Sequence, residues 1–128
     1  MSKRILIVDD EADVRAIVRL GLEMGAGWSV LVASSGQEAL NMATLHQPDA
    51  IMLDMMMPDM DGRATLQRLK ANPATRSIPV ILVTAKVQSI GQDSFADLDV
   101  ATVIAKPFRP LNLAQQISDV LCWNQAAS

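Results

Sequence analysis

Residues 51–62 read IMLDMMMPDMDG. An aliphatic run, Ile51-Met52-Leu53, ends on the carboxylate of Asp54, and a methionine-rich segment with a proline and a glycine then turns the chain. With Ala50 in front, the run is four residues long, and four others resemble it. They are Ile5-Leu6-Ile7-Val8, Ser29-Val30-Leu31-Val32, Val80-Ile81-Leu82-Val83 and Ala101-Thr102-Val103-Ile104. Their apolarity is continuous rather than alternating, which predicts short strands buried on both faces.

Helical patterns fill the intervals. Val14, Ile17, Val18, Gly21 and Leu22 recur at spacings of three and four, with Arg15 and Arg19 off that stripe. Ser35-Gly36-Gln37-Glu38 reads as a capping box opening a second helix that turns Ala39, Leu40 and Ala43 inward and places His46 in its last turn. Asp61 and Gly62 precede a third helix, with Leu66 and Leu69 apolar, Arg63, Arg68 and Lys70 solvated, and a stop near Asn72-Pro73. A weak fourth pattern spans 88–98 and contains Gly91. Pro110 starts a fifth helix, whose stripe is Leu113, Ile117, Val120 and Leu121. Strand and helix alternate five times, so the expected class is α/β: a doubly wound (βα)5 parallel sheet with helices on both faces.

Bulk properties narrow the function. The 128 residues are half apolar and one-fifth charged, which fits one compact domain over 1–128 with its core at about 4–123, and leaves no room for a second. A net charge of −3 with no basic cluster argues against direct nucleic-acid binding. No apolar stretch is long enough to span a membrane. The run after Met1-Ser2-Lys3-Arg4 breaks on Asp9 and Asp10, too early for a signal peptide. The single cysteine, Cys122, cannot form an internal disulfide and reads as a small residue of the last helix. A cytoplasmic location is expected.

In doubly wound sheets the ligand site lies beyond the carboxyl ends of the strands. Those ends carry Asp9, Asp10 and Glu11 after the first run, Asp54 after the third, Thr84 after the fourth, and Lys106-Pro107 after the fifth; the second offers only Ala33 and Ser34. Two carboxylates about 4 Å apart repel by roughly 4 kcal/mol at an effective dielectric of about 20, so three together call for a cation. Oxygen donors without histidine or cysteine favour magnesium, with manganese as the alternative. Thr84 adds a hydroxyl and Lys106 a fixed charge, which makes a cage suited to a phosphoryl group on an aspartyl nucleophile. A single strand-end aspartate is more often a cap or turn former, so the conjunction carries the argument.

The motifs ILIVDDE (5–11), LDMMMPDMDG (53–62), IPVILVTA (78–85) and AKPF (105–108), in this order and spacing, resemble the receiver domains of two-component response regulators, the superfamily of the chemotaxis regulator. The resemblance covers Arg4 to about Trp123. It implies a flavodoxin-like sheet of order 2-1-3-4-5 with five helices. It further implies that Asp54 accepts a phosphoryl group from a sensor histidine kinase or phosphotransfer protein. Asp10 would bind magnesium directly and Asp9 mainly through water, with Asp54 and the Met56 carbonyl as further ligands. Thr84 and Lys106 would hold the phosphoryl oxygens, and the Lys106–Pro107 bond would be cis. Such a domain switches a downstream protein or output domain, is a monomer or weak dimer, and is not a turnover enzyme.

Two features depart from that family. Val103 stands where the family usually has Tyr or Phe, and Asp99-Val100 replaces a Gly-Ala turn. Met56 and Lys86 flank the approach to Asp54 and are expected to tune hydrolysis, by shielding and by charge. Met55, Met56 and Met57 read as packing rather than a soft-metal site. Asp59 and Asp61 read as turn and cap residues, and Trp28 and Trp123 as peripheral packing. Two other readings stand beside the receiver. One is a phosphorylation-independent interaction domain, which the complete set of acids, threonine and lysine disfavours. The other is an Asp-nucleophile phosphohydrolase, which needs a second acid two residues after the nucleophile, where this chain has Met56, and a substrate cap.

Overall fold

A computed structural model of the chain describes residues 3–55, 62–84 and 100–123. Its elements are β1 (Arg4–Val8), α1 (Ala12–Ala26), β2 (Ser29–Ala33), α2 (Gly36–His46), β3 (Ala50–Asp54), α3 (Gly62–Ala71), β4 (Val80–Thr84), β5 (Thr102–Ala105) and α4 (Pro110–Leu121). All strands are parallel, in the order β2-β1-β3-β4-β5. The expected α/β class and strand order are therefore present. The pattern at 88–98 falls outside the described residues.

Continuous apolarity makes sense here because each face of the sheet has its own core. Leu6, Val8, Ile51, Leu53, Val80 and Leu82 point to one face, against Ala39 and Ala43 of α2 and Leu66 and Leu69 of α3. Ile5, Ile7, Ala50, Met52, Ile81 and Val83 point to the other, against Val18 and Leu22 of α1 and Leu113 and Ile117 of α4. The side-chain period of two sends alternate residues to opposite layers, and each fully buried aliphatic side chain contributes about 1.5–3 kcal/mol.

The expectation of burial on both faces fails at β2 and β5. Val30, Leu31 and Val32 are only partly buried, as are Thr102 and Val103. These are the edge strands of the sheet, so among the described residues one flank of each lacks a neighbouring strand.

Helix packing corrects three further expectations. Ile17 is exposed despite lying on the stripe of α1, because it borders an open groove rather than the sheet. Val120 is likewise exposed, and Ala114 takes its place in the buried stripe of α4. Lys70 is not simply solvated: its Nζ donates to the carbonyls of Arg76 and Ile78, each at 3.1 Å, closing the chain after α3. Gly21 shows why α1 and α4 approach so closely. A Cβ there would lie 2.6 Å from the Pro110 carbonyl oxygen.

The helix ends follow local chemistry. Ser35 Oγ accepts from the Glu38 amide at 3.1 Å, as a capping box requires. The return contact is offset: Glu38 Oε1 accepts from the Ser34 amide at 2.6 Å and from Ser34 Oγ at 3.0 Å. These bonds hold the Glu38 carboxyl below its usual value, the backbone donor first and the hydroxyl second. Beyond α3, Asn72 Oδ1 accepts from the Ala74 amide and forms the turn that stops the helix.

Trp28 and Trp123 meet at the amino ends of the strands. Their rings stand edge to face, with centroids 5.2 Å apart, and Lys3 Nζ lies 5.0 Å from the Trp123 ring centre.

Candidate functional site

Parallel register brings the polar strand ends to one edge. Val8 pairs with Leu53, Asp54 with Val83, and Thr84 with Ala105. The ladder then runs one residue past each strand. The Asp9 amide donates to Ala33 O at 3.1 Å, Met55 to Val83 O at 3.0 Å, and Lys106 to Thr84 O at 2.9 Å. Residues placed this way cannot swing freely, because their own peptides belong to the sheet.

Asp9 and Asp54 are each only 3% exposed, Thr84 is fully buried, and Asp10 is open to solvent. Carboxylate oxygens of Asp9, Asp10 and Asp54 all lie within 4.8 Å of one another. Lys106 reaches between the two buried acids, with Nζ 3.4 Å from Asp9 Oδ2 and 3.4 Å from Asp54 Oδ1. Burial works against charge on this ammonium, yet Asp54 and then Asp9 outweigh it and hold Lys106 above the ordinary lysine value. Asp9 Oδ1 also accepts from the Glu11 amide at 2.9 Å, which serves the start of α1 in place of a side-chain cap. The Lys106–Pro107 bond is cis.

This arrangement coincides with a family assignment. The model of the response regulator receiver domain matches residues 5–118. The chain belongs to that family. The receiver is 37% identical over 121 residues to the phosphate regulon transcriptional regulatory protein PhoB of Pseudomonas aeruginosa, covering 94% of this chain and 52% of that protein. It thus spans about half the length of the curated relatives it matches. Among solved structures, the Vibrio cholerae chemotaxis response regulator CheY4 superposes with a TM-score of 0.85 at 26% identity, covering 94% of this chain and 99% of that one. The signal receiver domain of a histidine kinase from Syntrophus aciditrophicus gives 0.83 at 31% identity, covering 95% and 92%.

The receiver's donor set fits a hard divalent cation. Its three carboxylates converge with no histidine or cysteine beside them, the pattern that suits magnesium or manganese. Met56, Met57, Asp59, Asp61 and Lys86 lie outside the described residues, so the expected Met56 carbonyl ligand and the two lifetime-tuning positions are placed by sequence alone. Gly62 shows how tightly the chain returns to the site. Its amide donates to Met55 O at 3.0 Å, and a Cβ would lie 2.5 Å from Met55 Cα and 2.7 Å from Asp54 O. Val103 packs at the margin of the core between the sheet and the α2–α3 layer. A groove of about 600 Å³ leads away from Lys106 and Glu11 between α1 and the Phe108–Pro110 turn, walled by Val14, Ile17 and Phe108.

One residue beside the site was not legible in the sequence. Arg15, set aside there as an off-stripe helix residue, donates from Nη1 to the Asp9 carbonyl at 2.8 Å. Its partner is a backbone atom, which no residue identity announces.

Proposed function

We propose that this receiver accepts a phosphoryl group on Asp54 from a phosphohistidine of a sensor histidine kinase or phosphotransfer protein in the cytoplasm, and that the acyl phosphate switches a downstream protein or output domain. The carrying observation is the buried Asp54 carboxylate, delivered by a central strand and facing both the Lys106 ammonium and the Asp9–Asp10 pair. An Asp54 oxygen attacks phosphorus, the P–N bond breaks, and its electron pair returns to the imidazole of the donor. Lys106 and Thr84 meet the charge that develops on the phosphoryl oxygens. Asp9, Asp10 and Asp54 would hold magnesium, with the Met56 carbonyl completing the protein ligands. The bound ion supplies positive charge at the phosphoryl oxygens and relieves repulsion among the acids. Water later hydrolyses the acyl phosphate, so the domain catalyses its own modification and its own reset without turning over a free substrate.

Incubation with magnesium and acetyl phosphate, followed by intact-mass measurement, tests this. The expected result is a gain of one phosphoryl group that does not form when a chelator replaces magnesium and is absent in Asp54→Asn. No gain in the wild type, or the same gain in Asp54→Asn, would overturn the assignment. Sustained turnover of a generic phosphate ester would favour a phosphohydrolase instead.

A further inference from the structure

All four polar groups of Asp9 are held. Its amide donates to Ala33 O, its Oδ1 accepts from the Glu11 amide, its Oδ2 faces Lys106 Nζ, and its carbonyl accepts from Arg15 Nη1. The first three place the Asp9 carboxylate. The fourth has a different consequence. The Asp9 carbonyl shares a rigid plane with the amide and Cα of Asp10. Fixing that oxygen fixes the rotation of the peptide and hence the position of the Asp10 Cα from which its side chain projects.

Asp10 needs such a constraint. It is the exposed member of the acidic cluster, while Asp9 and Asp54 are buried. Arg15 is half-buried one turn into α1, and its Nη1 reaches the Asp9 carbonyl at 2.8 Å. A half-buried guanidinium on a helix can present a planar, pre-organised donor, and hydrogen bonds from charged donors are the stronger kind.

We propose that Arg15 is a positioning residue for cation binding: by holding the Asp9 carbonyl it fixes the Asp9–Asp10 peptide and aims the Asp10 carboxylate at the site formed with Asp9 and Asp54. This rests on the cation-binding reading above. It assigns to α1 a role beyond packing, in which the helix transmits its own position to the exposed member of the cluster.

The probe is Mn²⁺, counted by the paramagnetic resonance of the free ion in the presence of the whole chain. Arg15→Met keeps the stem and removes the donors. Its dissociation constant for Mn²⁺ is expected to rise roughly 10-fold, the scale typical of losing an outer-shell partner. Arg19→Ala, on the solvent side of the same helix, should bind as the wild type does. The decisive comparison uses Asp10→Asn as background. If Arg15 acts through Asp10, adding Arg15→Met to Asp10→Asn weakens binding little further. Full additivity of the two losses, or unchanged affinity in folded Arg15→Met, overturns the proposal. Should Arg15→Met fail to fold, Arg15→Gln, whose amide stops short of the carbonyl, must weaken binding in the same direction, and unchanged affinity there overturns the proposal equally. A wild type that binds no Mn²⁺ overturns the cation-binding reading and this inference with it, whereas a wild type that binds and an Arg15 variant that binds equally well overturns this inference alone.

Discussion

Replacing Lys106 with methionine should make the empty receiver less stable and at the same time more responsive to magnesium. The ammonium lies 3.4 Å from each of two buried carboxylates. At an effective dielectric of about 20, each attraction is worth about 5 kcal/mol. The carboxylate oxygens, within 4.8 Å of one another, repel by at least about 3.5 kcal/mol per pair on the same footing. Desolvation of all three groups opposes these terms, and removing one partner of a buried pair typically costs 3–5 kcal/mol net. The Lys106 side chain retains 23% of its exposure, which lowers the expectation to about 2 kcal/mol. In urea this is a fall in midpoint of about 1 M, measured with a chelator present. Added magnesium then acts differently on the two proteins. In the wild type the cation must share the acids with an ammonium; in Lys106→Met it does not, and about 10-fold tighter binding adds about 1.4 kcal/mol of stabilisation at saturation. Unchanged stability with the chelator, or equal magnesium shifts in both proteins, refutes the electrostatic account. The pH dependence supplies a sign. The folded Lys106 titrates above its ordinary 10.5, so its contribution is fully present below that value. It disappears as pH rises through the raised one, and the two proteins should converge in strong alkali.

Glu38→Gln should cost about 0.5 kcal/mol at neutral pH, because Glu38 is exposed and its bonds to Ser34 are solvent-screened. The folded value of Glu38 lies below the ordinary 4.5, so its contribution is present above 4.5 and is lost as pH falls through the depressed value; urea midpoints of variant and wild type should merge in acid. Gly62→Ala should destabilise by about 1–3 kcal/mol despite its better helix propensity, since its Cβ meets backbone atoms of Asp54 and Met55 that cannot rotate away. Thermal melting reads the loss, and a variant as stable as the wild type would show that α3 can back away from the site.

The parts of the molecule visible in the sequence are those where residue identity itself breaks a pattern. A carboxylate ending an aliphatic run marks Asp54, and the same break marks Asp9, Thr84 and Lys106. Parallel register does the rest, because strands that end together bring their next residues together. What stayed hidden depends on geometry that one-dimensional patterning does not carry. The Glu38 carboxylate serves Ser34 rather than Ser35, a matter of one residue's backbone direction. Ile17 and Val120 satisfy a helical stripe yet stay open, because stripe membership says nothing about how far a neighbour extends. Val30 to Val32 read as a doubly buried strand, but whether a strand is central or at an edge is decided by the order of the sheet. Arg15 and Lys70 both look like solvated helix charges, and both spend their donors on carbonyl oxygens.

The tryptophan pair has an optical consequence. The chain holds two tryptophans and no tyrosine, and both indoles sit at the amino ends of the strands, one strand length of about 16 Å from the acids. Emission from this receiver therefore reports chiefly on whether the rim opposite the acids is assembled. Under the proposed phosphorylation of Asp54, any emission change would have to cross the sheet to reach the indoles.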